Sequence, residues 1–154
     1  MDRDDRAETL CEAECLRLLS TVPVGRVVYT EHALPAVLPV SFDVTADGRL
    51  LLAVRRSSST ARGLDGTVVA FQADQLDPLT RTGWSVLVHG RAEVVREPEL
   101  VRRALRTGLR PWVGDPDPMF VAVVPELVGG RRLLPAGRRA ALLTAAAGGP
   151  PPGR

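Results

Sequence analysis

The sequence predicts a mainly β domain, an antiparallel barrel with flanking helices. About six or seven short apolar stretches recur at regular spacing, and many of them alternate with a period of two residues, as half-buried strands do. Asp47-Gly48, between two such stretches, is a strong hairpin signal. Gly25, Gly48 and Gly90 stand where a small barrel turns a corner or carries a bulge.

The first half of the chain begins with a helical pattern and then changes to strands. Residues 7–20 carry apolar side chains at helical spacing, and Pro23 ends that pattern because proline disfavours helix at its own position and just before it. Five predicted elements follow in chain order: a strand over residues 24–30, a turn at 31–33, strands over 34–42 and 50–54, and a helical turn at 61–64.

The second half is predicted to complete the barrel. It contains strands over residues 68–73 and 84–95, a helix over 98–106 that begins at a proline, and a last pair of strands over 120–124 and 127–134. Residues 75–83 and 108–118 are predicted loops. Residues 1–136 are therefore expected to form one domain, and residues 137–154, which end in Gly-Gly-Pro-Pro-Pro-Gly-Arg, a partly disordered tail.

Composition narrows the possible partners. The formal net charge is only +2, which gives little reason to expect a nucleic acid. All 20 basic residues are arginine, as a high-GC genome would produce, so any anion site must use arginine, hydroxyls or backbone N–H groups. No apolar run is long enough to span a bilayer, and the polar start has no secretory pattern. We expect a cytoplasmic protein without a membrane partner.

Motifs for side-chain catalysis are missing from the sequence. It has no Gly-x-Gly-x-x-Gly or Walker loop for a nucleotide and no Gly-x-Ser-x-Gly nucleophile elbow. Cys11 and Cys15 lack further ligands nearby for a metal and are expected to be half-buried thiols, while His32 and His89 stand alone. We expect no metal and identify no catalytic residue, so any chemistry would come from a bound cofactor.

Three segments carry groups that suit a flat, phosphorylated ligand. Residues 39–42 (Pro-Val-Ser-Phe) place a proline in an apolar strand, which favours a strand edge or a position facing a ligand. Residues 55–60 (Arg-Arg-Ser-Ser-Ser-Thr) offer the guanidinium, hydroxyl and N–H donors that surround a phosphate. Residues 82–85 (Thr-Gly-Trp-Ser) open the long strand. Taken singly, an edge strand, a solvated loop and a core tryptophan also explain them.

In order and spacing these segments resemble the pyridoxamine 5'-phosphate oxidase family, in its flavin-binding split-barrel branch. The resemblance runs from Cys15 to about Leu134. Further short stretches carry it: Val-Gly-Arg-Val at 24–27, Val-Ala-Phe at 69–71, Gly-Trp-Ser-Val at 83–86, Gly-Arg-Ala-Glu at 90–93, Arg-Pro-Trp at 110–112 and Gly-Arg-Arg-Leu at 130–133.

The resemblance implies a split β-barrel of the FMN-binding type that works as a homodimer, with the cofactor at the subunit interface. Backbone atoms of residues 39–41 would line the isoalloxazine ring, the loop at 55–60 would hold the ribityl phosphate, and Trp112 and Arg131 would come from the partner subunit. The implied cofactor-binding residues are Pro39, Val40, Ser41, Arg55, Arg56, Ser58, Ser59, Thr60, Trp84, Ser85, Trp112 and Arg131.

The chain departs from the family pattern in the phosphate loop. Relatives commonly place a lysine near the position of Thr60, and a hydroxyl does not replace that charge. Phosphate binding would then depend on Arg55, Arg56 or Arg62. The arginine-rich motifs that hold the vitamin substrate in the true oxidases are not evident either, so the resemblance does not extend to that activity.

The function implied is an FMN-dependent oxidoreductase that acts on a small organic substrate. A deazaflavin-dependent reductase of the same fold, as actinobacterial relatives provide, is one alternative, with Arg26, Arg55 and Arg56 available for a longer acidic tail. A non-catalytic flavin-binding or scaffold module is the other. The sequence identifies neither the substrate nor the electron donor.

Overall fold

The computed structural model describes residues 7–112, 114 and 117–135. They form these elements in chain order: β1 (Ala7–Leu10), α1 (Glu12–Leu19), β2 (Val24–Glu31), β3 (Leu34–Val44), β4 (Leu50–Arg55), α2 (Ser59–Leu64), β5 (Thr67–Asp77), β6 (Thr82–Val94), α3 (Pro98–Arg106) and β7 (Pro118–Leu133). Within these ranges, no helix has both the length and the apolar character needed to cross a membrane. The predicted tail over 137–154 lies outside the described residues.

Six strands form a closed ring, which confirms the predicted mainly β barrel. Their order is β7-β4-β3-β2-β5-β6, and the ring closes because β6 pairs with β7 as well as with β5. Every pairing is antiparallel. β7 serves both sides of the closure, since its first residues pair with β4 while most of its length pairs with β6.

The first strand lies where the sequence predicted a helix, so that prediction is wrong for residues 7–10. β1 pairs with the end of β7, from Ala7 opposite Leu133 to Leu10 opposite Gly130. The helix begins only at Glu12, after Cys11 as its N-cap residue. Helical spacing of apolar residues continues through this segment, but the free edge of β7 offers backbone hydrogen bonds that a fraying helix end would leave to water.

The last two predicted strands are one strand of 16 residues. The ladder with β6 shifts between His89 and Gly90, which pair with Leu127 and Pro125, so Glu126 is an extra residue on β7. Pro125 has no N–H for a regular ladder, and a bulge accommodates it without ending the strand. The bulge predicted at Gly90 is confirmed, and a Cβ there would come within 2.0 Å of the Val124 carbonyl oxygen.

The loop predicted over residues 75–83 is shorter than expected. Gln75 to Asp77 continue β5 and pair with Trp84 to Thr82, leaving only the residues between them as the turn. Gly83 makes this possible, because its φ is +143° and a Cβ would meet the Gln75 carbonyl oxygen at 2.1 Å. The predicted strands elsewhere, the turn at His32 and Ala33, and the helix over 98–106 are confirmed.

Two apolar cores hold the elements in place. The larger core fills the barrel, where Phe42 and Phe71 meet edge to face with ring centroids 4.7 Å apart. The smaller core lies on the outside of β4 and β7, where Leu51 and Phe120 are covered by Leu100 of α3. Because α3 packs over these two strands, the chain that leaves it is positioned beside the barrel wall.

The two cysteines have different surroundings rather than forming the half-buried pair that was expected. Cys11 is exposed and Cys15 is fully buried; both are free thiols. Cys15 packs against the backbone of β7, since a Cβ on Gly130 would lie 2.7 Å from its Sγ atom. Burial, and secondarily the neighbouring Cys11, raise the pKa of the Cys15 thiol, so it stays protonated and unreactive.

Candidate functional site

The barrel wall opens between β3 and β4. The two strands pair only from Val44 opposite Leu50 to Ser41 opposite Ala53. Continuing that register would bring Pro39 opposite Arg55, but beyond Ser41 the strands separate: β3 remains paired with β2, and β4 with β7. We call this opening the seam, bounded by residues 39–41 of β3 and 53–55 of β4. Backbone groups along it are not used in a ladder between the two strands.

Pro39 fits the edge position that the sequence predicted for it. It pairs with Arg26 on β2 and is exposed, while its neighbour Val40 points into the core. Ser41, the next residue, is half-buried at the last pair before the strands separate. The three residues therefore lie together on one side of the seam.

The loop after β4 is shaped by Ser58. Its hydroxyl donates to the carbonyl oxygen of Arg55 at 2.6 Å and accepts from the N–H of Ala61 at 3.3 Å, which caps α2. The backbone N–H of Ser58 also donates to the Arg55 carbonyl, at 3.0 Å. The turn is thus closed by its own serine, and Ser59 points away toward Glu31, whose Oε1 accepts its hydroxyl at 2.9 Å.

Thr60 lies in the barrel interior, away from the loop surface. Its side chain is only 7% exposed, and its hydroxyl shares a hydrogen bond of 3.1 Å with the hydroxyl of Tyr29 on β2. This pair satisfies two buried polar groups and joins α2 to the barrel wall. In this arrangement the Thr60 hydroxyl has a partner within the chain.

Two arginines stand at the end of the seam. Arg55 ends β4 opposite Pro118, and Arg56 follows it into the loop. The Nε atom of Arg56 lies 2.6 Å from the Oδ2 atom of Asp117, with the two side chains 55% and 68% exposed. An ion pair this open to water is weak. Arg56 can therefore exchange this partner for a stronger anion.

A groove of about 430 Å³ adjoins the other end of the seam. One wall is the outer face of β3, with Ser41 and Asp43, and the other is the chain that follows α3. Trp112 belongs to that second wall and is 65% exposed. The complete lining is Pro23, Ser41, Phe42, Asp43, Thr107, Gly108, Leu109, Arg110, Pro111 and Trp112. The structure thus brings Ser41 and Trp112 of the same chain together, whereas the resemblance implied that Trp112 would come from the partner subunit.

The remaining predicted residues lie elsewhere. Ser85 on β6 is opposite Arg131 on β7, and Trp84 beside it is buried, with 7% of its surface exposed. Arg131 lies near the other end of β7 from Pro118, about 40 Å away along the strand at roughly 3.3 Å per residue. Arg131 is therefore distant along β7 from the arginines of the loop, whereas Ser85 lies three strands from Pro39: it hydrogen-bonds Gln72, which is opposite Arg26, and Arg26 is opposite Pro39.

A polar network surrounds Ser85 and includes a residue that the sequence reasoning missed. The Nε2 atom of Gln72 on β5 donates to the Ser85 hydroxyl at 3.3 Å and to Asp74 at 2.6 Å. Arg26 on β2 donates to the Gln72 side-chain oxygen at 3.4 Å. Polar residues alternating with apolar ones along β5 are the only sequence signal for this network, and an ordinary solvent-facing strand shows the same signal.

Known proteins resemble this chain over most of its length. The model of the pyridoxamine 5'-phosphate oxidase family matches residues 11–132. An uncharacterised protein of Mycobacterium tuberculosis is 45% identical over 134 residues, which cover 81% of this chain and 84% of that protein.

Two solved structures are also similar to this chain over most of its length. The FAD binding protein of Mycobacterium smegmatis has a TM-score of 0.72 and 31% identity, over 82% of this chain and 98% of that one. A conserved protein of unknown function from Corynebacterium diphtheriae has a TM-score of 0.68 and 29% identity, over 84% and 100% of the two chains.

Proposed function

The chain belongs to the pyridoxamine 5'-phosphate oxidase family, and on that basis we propose that it is a flavin-dependent oxidoreductase whose cofactor binds along the seam. The single observation that carries the proposal is the separation of β3 from β4 beyond Ser41, with two arginines at one end of the opening and an open groove at the other. A flavin nucleotide needs this combination of an anion site and a wall of backbone donors and acceptors.

The residues at the seam fit the two ends of a flavin. The ribityl phosphate would be held by Arg55, Arg56 and the N–H groups of the turn. In a chain without lysine, guanidinium groups neutralise the charge of a phosphate, and backbone N–H groups donate hydrogen bonds to it. Backbone atoms of residues 39–41 would face the isoalloxazine ring. Ser58 and Thr60 would support the loop from behind through the hydrogen bonds described above.

When bound, the isoalloxazine ring supplies the redox chemistry, exchanging a hydride or single electrons with a small organic substrate. The protein's own part is to bind, orient and shield. The turn closed by Ser58 fixes the arginines at one end, and the buried residues of β3 fix the strand edge at the other. Trp112, which shares the groove with Ser41, would limit the access of water to the ring.

We propose FMN as the cofactor, with FAD as the second flavin to test because the Mycobacterium smegmatis relative is an FAD binding protein. A deazaflavin with a longer acidic tail would need further cations along the seam. Arg26, considered for that role from the sequence, lies on β2 and donates to Gln72. Arg26 is also opposite Pro39 at the seam, so the deazaflavin coenzyme stays in the test beside FMN and FAD.

We further propose that the protein is a homodimer. The resemblance implied that Arg131 reaches the flavin from the partner subunit, and we keep that assignment in the proposal. A row of apolar or partly apolar residues crosses the outer face of five strands and would be covered by a second copy. Its members are successive register partners: Val37, Val28, Ala70, His89 and Leu127. Leu127 is 69% exposed at its end.

The test is a titration of the purified chain with FMN, FAD and a deazaflavin coenzyme, followed by absorbance. Replacing Arg55 or Arg56 with Ala should cost about 1.5–3 kcal/mol of flavin affinity, because a charge-assisted contact to phosphate is lost. Arg102→Ala is the matched control, since Arg102 is an exposed arginine paired with Glu99 on the outer surface of α3. Unchanged flavin affinity in both loop variants would contradict the assignment of the phosphate to this loop.

Turnover separates the enzyme from a flavin carrier. Tight flavin binding with no reduction by nicotinamide donors and no oxidation of substrates would favour the non-catalytic module. A colourless, strictly monomeric protein that binds none of the three cofactors would contradict the proposal as a whole.

A further inference from the structure

We infer that the groove beside Ser41 is the substrate site, and that it selects a flat aromatic molecule carrying one carboxylate. This inference rests on the proposed function, because Ser41 belongs both to the seam and to the groove. A molecule in the groove would then lie next to the edge of the bound ring. A volume of about 430 Å³ is within the range of sites for small organic ligands.

The apolar surface for the substrate is the indole of Trp112. The chain has two tryptophans, of which Trp84 is buried and Trp112 is 65% exposed. An indole left open to water on one wall of a groove offers a face on which another ring can stack, and such stacking excludes water from both faces. Leu109 and Pro111, which line the groove nearby, extend the apolar surface.

The charge in the groove comes from Arg110. Asp43 is the other charged residue of the lining, and it is already engaged: its carboxylate accepts from the N–H of Val44 at 2.9 Å and lies 3.7 Å from the guanidinium of Arg103. Arg110 donates one N–H to the Leu109 carbonyl at 2.9 Å and has no carboxylate partner in the part of the chain that the structure describes. Its other donors are available to an anion.

One guanidinium fits a carboxylate better than a phosphate. The planar fork of arginine binds a carboxylate through two parallel N–H donors, which neutralise its single charge. A phosphate monoester carries nearly two charges at neutral pH and needs further donors. Asp43 opposes the second charge, because it lies on the same groove and only Arg103, at 3.7 Å, offsets it. The groove therefore favours a monoanion.

The experiment is calorimetric titration of the full chain as isolated with three probes of the same ring: 2-naphthoate, 2-naphthalenemethanol and 2-naphthyl phosphate. We expect 2-naphthoate to bind at least tenfold more tightly than the other two. Arg110→Gln should weaken 2-naphthoate roughly tenfold to a hundredfold and leave the neutral alcohol unchanged. Arg110→Lys, which keeps the charge but loses the planar fork, should fall between.

Control variants distinguish the loss of the Arg110 guanidinium from a general effect of removing an arginine. Arg81→Gln removes an exposed arginine in the turn between β5 and β6, outside the groove, and should leave all three affinities unchanged. Trp112→Ala should weaken the acid and the alcohol alike, because both stack on the indole. Circular dichroism of each variant verifies that the barrel is intact.

Three results would overturn the inference: no binding of 2-naphthoate, equal binding by Arg110→Gln with an intact fold, or tightest binding of the phosphate. Flavin content, measured by absorbance on the same samples, is independent of this readout. A chain that binds 2-naphthoate but no flavin would contradict the proposed function and retain the groove. A chain that binds flavin but not 2-naphthoate would contradict the inference about the groove and leave the proposed function standing.

Discussion

Arg56 and Asp117 form an ion pair with 2.6 Å between Nε and Oδ2, which ties the loop after β4 to the residue that precedes β7. The pair places a carboxylate beside one of the guanidinium groups assigned to the flavin phosphate. Asp117 therefore competes with the cofactor for Arg56, and its own charge repels a phosphate placed there.

Replacing Asp117 with Asn should strengthen flavin binding. Removing the competing charge is expected to raise FMN affinity by about twofold to fivefold, the range for an exposed ion pair of up to about 1 kcal/mol. The measurement is a fluorescence titration of FMN at low and high salt, and the gain should shrink as salt screens the charges. Glu99→Gln, which removes the partner of an exposed arginine on α3, should change nothing. A loss of affinity in the Asp117→Asn variant would contradict the assignment of Arg56.

Replacing Gly90 with Ala should destabilise the barrel by about 2–4 kcal/mol, because the new methyl group meets the Val124 carbonyl at 2.0 Å and the backbone must shift. Gly129→Ala is the control on the same strand pair, since a Cβ there meets nothing within 4 Å. We expect it to be neutral or slightly stabilising. Urea unfolding of both variants measures the difference, and equal midpoints would mean that the bulge is not as tight as the structure shows.

The hydrogen bond between Tyr29 and Thr60 should contribute to stability and not to phosphate binding directly. Tyr29→Phe and Thr60→Val are each expected to cost about 1–2 kcal/mol of unfolding free energy, because each leaves the other hydroxyl buried without a partner. The double variant should cost less than the sum of the two. If Thr60→Val instead lowered FMN affinity with no change in stability, its hydroxyl would be a phosphate ligand, as the resemblance first implied.

Asp65 should make stability depend on pH in the acid range. Its carboxylate accepts from the N–H of Val94 at 2.8 Å and from Arg96 at 3.1 Å, and these contacts, the backbone one first, lower the pKa of Asp65 below 3.8 in the folded protein. A lowered folded pKa stabilises the protein above the unfolded value, and the contribution is lost as pH falls through the folded value.

Asp65→Asn is therefore expected to be less stable than the unmodified chain at pH 7 by about 0.5–1 kcal/mol, since the site is partly exposed. The difference should disappear at acid pH, once the pH is below the lowered folded pKa and the carboxylate is protonated in both states. Glu93→Gln controls for the loss of one charge, since Glu93 is exposed on β6 beside Val94 and has no side-chain hydrogen bond to the described residues. A difference that persists at low pH would assign the effect to packing.

Local sequence patterns predicted most of the elements because each carries its own periodicity, cap or turn signal, although β1, β2 and β4 each pair with a strand distant in the chain. The helix over 98–106 has its proline and apolar stripe, and Asp47-Gly48 closes its hairpin, without reference to distant residues. The helix predicted to begin at residue 7 was wrong for residues 7–10, because these residues form a strand only by pairing with β7. A short periodicity window does not include that distant partner. The predicted break between the strands over 120–124 and 127–134 was wrong for a related reason, since only the pairing of Pro125 with Gly90 shows that the proline lies in a bulge within one strand.

The candidate site was less predictable than the fold. The cluster of arginines and hydroxyls in the loop after β4 was evident from the local sequence. The direction in which each hydroxyl points was not evident, because it depends on partners on other elements. The Thr60 hydroxyl bonds the Tyr29 hydroxyl, and the Ser59 hydroxyl donates to Glu31. No local pattern indicates that Asp43 and Arg110 share a groove, since that groove forms only when α3 packs on β4 and β7 and leads its following chain past β3.

The position of β7 has a consequence for how the chain acquires its shape. This strand is synthesised after the other six, yet it supplies the partner for β1, for one edge of β4 and for most of β6. A growing polypeptide therefore holds its hairpins in an unclosed sheet until residues 118–133 emerge, and contacts so distant along the chain slow the final step. During that interval the edges of β4 and β6 are bare, and premature release would expose them to pairing with other molecules.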